Sequence, residues 1–465
     1  MSVQTTPAVA TLSGAPLPRV LAFATMAAPT AALAVVTNVY LPRYYVGLGL
    51  SFIVVGAAIT GIRLIDLCFD PLLSLVMDRT KTPIGRYRPW LILGAPIVML
   101  AIHMLLTPGA GLTPGYMMVW LLVIGAGTSM VSLGQAAWAS VLATSYNDRS
   151  RVYGWVQGLS AVGQMSILLL PPIFTAGAVV LGKADSMPAI GWILVIALPV
   201  CLLICTAFTP ERRATLVERP RFSLPDMVSA VSRPAALRAI IADFLMSLAP
   251  GAAAPLYVYF FHEAKGFTAS EINVALVVTI LGSAVGAPVW ARIARRFNKH
   301  RTLQFACVCY AAFHASVVAL PRGQFVLTVA AMAAVGFCSA ALVPLVRAMV
   351  ADISDEVRLE RDQNLTSLLF SMVTTTQKVG ATITVLFVFP VLAFVGYNGK
   401  EGAVNTPQSI VGLEMCYLLI PMLAVLAGGA MFFGYKLSPE RHAAVRRELE
   451  ARDAAALQAA PPLAS

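Results

Sequence analysis

Twelve runs of about twenty mostly apolar residues divide this chain, and such a run has one favourable home, a helix crossing a bilayer. A helix rises about 1.5 Å per residue, so twenty residues match the roughly 30 Å of hydrocarbon and satisfy their backbone N–H and C=O groups internally. The runs centre near Ala31, Ala58, Pro96, Ile124, Gln164, Leu198, Ala253, Val278, Ala312, Ala333, Thr382 and Ala424. Composition agrees. Of 465 residues, 58% are hydrophobic and only 12% charged, where a soluble domain carries about 25% charge. The expected fold is an all-α membrane protein with twelve transmembrane helices.

A net charge of +11 would suggest nucleic acid as the partner of a soluble protein. Here the basic residues sit in short loops between apolar runs, which is an orientation signal, so no nucleic-acid partner is expected. The segments Asp78–Pro89, Asn147–Arg151, Pro210–Arg238, Arg292–Arg301 and Asp352–Arg361 hold most of the loop Lys and Arg. The opposite loops hold Arg43, Lys183, Lys265, Arg322 and Lys400. The asymmetry places the first set and both termini in the cytoplasm. The first 18 residues lack the basic n-region of a cleavable signal, so the first run is expected to stay as a span. Ala- and Arg-rich usage suits a GC-rich Gram-negative bacterium and its inner membrane. All seven cysteines lie in apolar stretches, without disulfide or metal-site spacing, and read as small core residues.

The longest internal hydrophilic stretch falls midway and splits the spans six plus six. The expected organisation is a cytoplasmic tail (1–18), a six-helix half (19–209), a central cytoplasmic loop (210–234), a second six-helix half (235–436) and a second cytoplasmic tail (437–465). A weak repeat supports the division. Pro29-Thr-Ala-Ala opens a segment through Tyr40 to Gly49-Leu-Ser-Phe, and Pro250-Gly-Ala-Ala opens one through Tyr257 to Gly266-Phe-Thr-Ala-Ser.

The second span contains the most informative segment, Gly61-Ile-Arg-Leu-Ile-Asp-Leu-Cys-Phe-Asp-Pro. At 100° per residue, Arg63, Asp66 and Asp70 fall within roughly 60° on one helical face. Ionisable groups at membrane depth cost about 2.5–3.5 kcal/mol each on insertion scales, so they are seldom kept without partners. An internal Arg63–Asp66 pair would still leave one carboxylate over. The surplus charge suits a monovalent cation between Asp66 and Asp70, whether sodium, lithium or a proton, and no other cofactor is expected. Pro71 frees a carbonyl beside the acids, and a local kink is expected there.

Other polar residues in apolar surroundings complete a candidate solute site. Lys378 in span eleven is expected to point into the bundle toward an acid or a solute oxygen, unless it snorkels to the cytoplasmic end. Thr374 and Gln377 are its neighbours. Gln135 and Trp138 share a face of span four, where the indole either packs or stacks on a sugar ring. Thr30, Thr37, Asn38 and Tyr40 are the polar residues of span one, some explicable by helix–helix hydrogen bonding alone. Asp243, near the start of span seven, is a lone acid close to the interface and the weakest candidate.

The stretch Arg63-Leu-Ile-Asp66-Leu-Cys-Phe-Asp70-Pro71, continuing through Asp78-Arg-Thr-Lys-Thr-Pro-Ile-Gly-Arg-Tyr-Arg-Pro-Trp90, resembles the glycoside–pentoside–hexuronide:cation symporters. These are the melibiose-carrier-like branch of the major facilitator superfamily. Tyr146-Asn-Asp-Arg149-Ser-Arg151, and Ala351-Asp352-Ile-Ser-Asp355-Glu356 followed by Lys378, are weaker matches. The resemblance implies the major facilitator fold, cation binding by Asp66 and Asp70, and a solute cavity bordered by Lys378 and Trp138. Arg63, Thr30, Asn38, Gln135 and Thr374 join that solute set. Two sugar-holding acids of melibiose-type carriers are missing: ungapped alignment puts Thr30 and Gly134 at their positions. The loop after the second acid pair also departs from the family, reading Arg358-Leu-Glu-Arg361-Asp-Gln. Cation coupling therefore carries over better than galactoside specificity, and the branch includes carriers of lipids.

The expected mechanism is alternating access by a monomer in the lipid bilayer, with a small-molecule solute and a monovalent cation sharing a midplane site. Asp78, Arg79, Arg86, Arg88, Arg149, Asp352 and Asp355 would act as cytoplasmic gating loops. An uncoupled carrier or exporter is the competing class. Exporter glycine–proline spacing on span five is poor, since Pro171-Pro172 follows the glycines late. No Ser–Lys dyad, metal motif or phosphate loop suggests an enzyme.

Overall fold

The structure is a computed structural model, and it describes residues 16–80, 82–109, 112–142, 146–174, 187–209, 211, 232–361, 366–400, 403–435, 444–445, 447–449 and 451–452. The expected central loop and both expected tails lie mostly outside these residues. Among the described residues the twelve long helices are α1 (Leu17–Gly47), α2 (Phe52–Arg79), α3 (Arg88–Leu106), α4 (Pro114–Leu142), α5 (Tyr146–Phe174) and α6 (Met187–Phe208), then α7 (Pro234–Ala264), α8 (Ala269–Arg296), α9 (Lys299–Ala319), α10 (Phe325–Arg361), α11 (Thr366–Phe394) and α12 (Pro407–Ala430). Eleven are long and apolar enough to cross a membrane. The other, α5, spans 29 residues but begins with Asn147-Asp148-Arg149-Ser150-Arg151 and carries Gln157 and Gln164.

Local chemistry sets the ends. Gly49 and Gly266 adopt φ of 106° and 74°, conformations that L side chains resist, and each lies two residues before a helix cap. Ser51 then accepts from the Val54 amide to start α2, and Thr268 forms a reciprocal capping box with Glu271 to start α8. The weak sequence repeat is thus a repeated turn-and-cap device. Neither α1 nor α7 is regular throughout: π-helical turns interrupt them at Val36–Tyr40 and Phe260–Ala264. Helix α2 runs unbroken through Pro71.

Packing follows a pseudo-two-fold pattern. In the first half α1 packs on α5 and α6, α2 on α4, and α3 on α4 and α6. In the second half α7 packs on α11 and α12, α8 on α10, and α9 on α10 and α12, so each pairing recurs six helices later. Across the halves α2 meets α11, α5 meets α8 and α1 meets α7, again related by the same rule. Small residues permit the closest approaches. A side-chain carbon at Gly163 would strike the α1 backbone at Ala28, and one at Gly336 the α8 backbone at Thr279. This is the twelve-helix, two-half major facilitator fold.

The halves are joined toward one end of the bundle. Tyr40 donates to Asn273 Oδ1 (2.6 Å) and Arg43 to the Val258 carbonyl (3.3 Å). Phe52 of α2 packs on Tyr259, Phe389 and Tyr397, with ring centroids 5.1, 4.7 and 5.8 Å away. This end carries Arg43, Lys265 and Lys400, the sparse basic residues of the poorer loops. At the other end the following ties among the described residues run within halves. Lys299 pairs with Asp352 (2.6 Å) and Arg233 with Glu360 (2.8 Å) in the second half, and Trp90 Nε1 donates to Thr80 (3.1 Å) in the first.

Candidate cation and solute site

Helix α2 delivers Arg63, Asp66 and Asp70 to the boundary between the halves, each into a different environment. Arg63 donates to the Asn38 side-chain oxygen on α1 and, across the halves, to the Ala381 carbonyl on α11 (3.1 Å). Asp70 is buried and paired with Lys378 of α11, leaving its Oδ1 without a partner. Asp66 has no hydrogen bond or ion pair among the described residues and faces a cavity of about 290 Å³ between α1, α2 and α4. Arg63 is therefore not the direct partner of Asp66. It bridges α1 and α11 instead. With Lys378 included, the cluster holds two cations and two anions, so the surplus negative charge read from α2 alone is balanced from the other half.

The cavity beside Asp66 is lined by Thr30, Thr37, Asn38, Thr128 and Ser132 among its polar residues. Thr30, Thr37 and Thr128 spend their hydroxyl hydrogens on their own helices, donating to the carbonyls of Met26 (3.0 Å), Leu33 (3.0 Å) and Ile124 (2.7 Å). What they present to the cavity is oxygen lone pairs. Gly125 brings α4 close, since a side-chain carbon there would lie 2.9 Å from Asp66 Oδ1. Hydroxyl oxygens around the Asp66 carboxylate suit a hard monovalent cation or the hydroxyl donors of a sugar, and the Arg63 guanidinium lines the same cavity.

A second cavity, of about 610 Å³, lies almost wholly in the second half. Lys378, Gln377 and Ala381 border it from α11, and Asp243 from α7. Asp243 is not an interface group: it is 2% exposed, accepts from Gln377 Nε2 (3.2 Å), and keeps Oδ2 unpartnered. Gln377 in turn accepts from Arg347 (3.3 Å).

Several expected solute residues stand elsewhere in this conformation. Trp138 is fully buried, edge-on to Phe23 at 5.4 Å and under the Arg88 guanidinium at 5.3 Å, so its ring packs and borders neither cavity. Gln135 is buried too and donates to the Phe23 carbonyl (3.3 Å). Thr374 is exposed and borders neither cavity. Gly134 faces α3, where a side-chain carbon would meet Leu91 at 2.6 Å; the α4 face toward Asp66 is Gly125, Thr128 and Ser132. No acid stands on that face or at Thr30.

The expected gating residues divide in the same way. The Arg86, Tyr87 and Arg88 amides all donate to the Glu211 carboxylate at 2.8–3.2 Å, and the Arg88 side chain donates to the carbonyls of Thr206 (2.9 Å) and Thr209. These contacts lie within the first half. Asp352 holds Lys299 within the second, Asp355 lies near it on α10, and Arg79 is exposed. The side chains of Asp78 and Arg149 lie outside the described residues.

Two halves with matched packing, joined over paired ionisable residues at a central boundary, define a membrane transporter of the major facilitator class. Residues 22–439 match the family model described as MFS/sugar transport protein, and the chain belongs to that family. It is 24% identical over 428 residues to Escherichia coli YagG, provisionally named a glycoside/cation symporter, covering 90% of this chain and 91% of that one. The glucuronide carrier protein homolog of Escherichia coli is 23% identical, covering 86% and 88%. The human sodium-dependent lysophosphatidylcholine symporter 1 is also 23% identical, covering 83% and 77%. The crystal structure of the nucleoside transporter NupG superposes with a TM-score of 0.61 at 14% identity, covering 90% of this chain and 98% of that one, which is likeness of fold.

Proposed function

We propose that this transporter is a cation-coupled symporter of a sugar, glycoside or related small hydroxylated solute, working as a monomer in a bacterial inner membrane with both termini cytoplasmic. The observation that carries the reading is the unequal state of two carboxylates four residues apart. Asp66 faces a cavity with hydroxyl groups and has no partner among the described residues, while Asp70 is held across the halves by Lys378. A sodium ion, lithium ion or proton entering at Asp66 meets a carboxylate ready to receive it. A cation that also engages Asp70 competes with the Lys378 ammonium and loosens the tie between α2 and α11. Occupancy of the ion site and movement of the halves are then linked, and by reciprocity so are ion and solute affinities. With the basic loops in the cytoplasm, the packed end is periplasmic and the conformation faces inward. The names of the bacterial relatives support a glycoside as solute.

The test is uptake into proteoliposomes under an imposed sodium or proton gradient, with Asp66→Asn and Asp70→Asn compared with wild type. Gradient-driven uptake is lost in both variants while insertion and exchange of solute at equal ion concentration are measured separately. Undiminished gradient-driven uptake in both variants would falsify the coupling. Thermal unfolding identifies the ion: a ligand at a hundred times its Kd stabilises by about 2.7 kcal/mol. A sodium or lithium shift absent from Asp66→Asn identifies a metal ion, and a pH-dependent midpoint lost in that variant identifies a proton.

A further inference from the structure

The two cavities differ in chemistry as well as in place. The pocket beside Asp66 is small and mixed, with Asp66, Arg63, Asn38 and four hydroxyls set among aliphatic side chains. The larger cavity is mostly apolar; its charged groups, Asp243 and Lys378, stand with Gln377, while Tyr257, His314 and Tyr417 are polar groups elsewhere on its wall. From Asp243 to Tyr257, both on its wall, α7 advances about 20 Å at 1.5 Å per residue. The α7 wall between them uses small residues, Ala249, Ala253 and Ala254, which leave the room that larger side chains would fill. The far end is closed by stacked rings. Tyr310 lies on His314, and His314 on Tyr417, at 5.5 and 5.1 Å.

A slot of about 610 Å³ walled mainly by hydrocarbon and aromatic side chains holds water poorly and falls within the size range of ligand sites. Two orphaned acceptors, beside the buried Tyr257 hydroxyl on the same wall, indicate what a ligand can offer. Asp243 is 2% exposed and His314 1% exposed, and Asp243 Oδ2 and His314 Nδ1 both lack partners. His314 Nε2 lies 2.7 Å from the Tyr417 carbonyl, which fixes that nitrogen as the donor and leaves Nδ1 an acceptor. Each orphan thus calls for a hydroxyl donor, one at each end of an apolar body. The pocket and the slot share no lining residue but adjoin: Asn38 lines one and its neighbour Val39 the other, and Arg63 of the pocket donates to the Ala381 carbonyl on the slot's wall.

We propose that the solute is amphipathic: a glycoside whose sugar occupies the pocket beside Asp66 in the first half and whose extended apolar aglycone, passing the Arg63–Ala381 contact, fills the slot of the second. Asp243 accepts a hydrogen bond from a hydroxyl on that aglycone. The inference rests on the glycoside reading given above and adds the class of aglycone and the residues that select it.

The experiment measures binding to the full chain in nanodiscs, by calorimetry, for methyl, hexyl and naphthyl β-glycosides of glucose, galactose, xylose and glucuronic acid. For whichever sugar binds, the naphthyl or hexyl glycoside binds at least about tenfold more tightly than the methyl glycoside, as burial of a ring or chain should give. Ala253→Phe fills the slot and removes that advantage while the methyl glycoside keeps its affinity within about twofold. Ala253→Val, a milder filling, reduces the advantage partway and serves if the larger substitution does not fold. Equal affinities for methyl and naphthyl glycosides in the wild type overturn the proposal and leave the glycoside reading standing. An advantage that survives both Ala253 variants is partition into lipid and overturns it too. Failure of every glycoside to bind, with a cation shift intact, overturns the glycoside reading and this inference with it.

Discussion

At the scale of single residues, the state of Asp70 decides how the cluster works. Its carboxylate is almost buried, while the Lys378 side chain that meets it is 44% exposed, so the pair stands between two regimes. Exposed ion pairs contribute about 0–1 kcal/mol, and removing one partner of a buried pair costs about 3–5 kcal/mol. A double-mutant cycle on Lys378→Met and Asp70→Asn, followed by thermal unfolding in detergent, is expected to give an intermediate coupling of about 1–3 kcal/mol. Each single variant is less stable than the double, because each leaves one charge facing a neutral group. Additive single effects would show that the pair is not a structural tie. The contrast with Asp66 explains what was legible in the sequence. Three ionisable residues in one apolar run announce themselves, because the membrane makes them costly. Their partners do not. Lys378 lies 308 residues from Asp70, and α2 alone therefore showed a charge surplus that α11 cancels. Asp243 looked peripheral because distance along a span says nothing of which helices surround it. Trp138 illustrates the converse: an indole on a helix face reads equally as stacking platform or packing, and only its neighbours Phe23 and Arg88 decide.

At the scale of elements, the loop before α3 shows how a basic motif becomes a helix start. The first amides of a helix have no partner within it, and its N-terminus carries partial positive charge. Glu211, just beyond α6, supplies one carboxylate to three successive amides, those of Arg86, Tyr87 and Arg88. Gly85 makes room: its φ is 126°, and a side-chain carbon there would strike Glu211. The motif thus pins α3 to the end of α6 inside one half. Glu211→Ala should lower stability by about 1–2 kcal/mol, the usual size of a lost cap with its dipole contribution, and Glu211→Gln by less. Gly85→Ala should weaken the same contact. The readout is the midpoint of thermal unfolding, and unchanged midpoints in Glu211→Ala would remove the brace from the account. The helices themselves were legible from twenty-residue apolar runs, and the matching turns before α2 and α8 left a trace in the weak repeat at Gly49 and Gly266. Glu211 was not, because it is one acid at the edge of a hydrophilic stretch whose role depends on where α3 begins. The π-helical turns in α1 and α7 leave no mark in hydropathy either, since one extra residue per turn does not alter an all-apolar window.

At the scale of the whole molecule, alternating access requires that the packing now closing one end be able to open. That end is held by few polar bonds and by one aromatic cluster around Phe52, whose ring meets residues of α7, of α11 and of the loop after α11. Gly56, one turn further along α2, lets α2 lie against Phe389, where a side-chain carbon would come within 2.9 Å. Such an interface can separate without exposing buried charge, which is what a repeatedly opening seal needs. Lys378–Asp70 and Arg63–Ala381, nearer the middle, are the ties that ion and solute can reach. The expectation is that joining the seal covalently stops transport without harming the fold. In a background lacking the native cysteines, Phe52→Cys with Tyr259→Cys, whose parent rings are 5.1 Å apart, should cross-link with a short bifunctional thiol reagent. Solute uptake should fall by at least about tenfold on cross-linking and return on cleavage of a reducible linker. Labelling each Cys with a monofunctional reagent controls for bulk alone. Full uptake by the cross-linked protein would mean that this end never opens, and that the halves do not rock about the Asp66–Asp70 site.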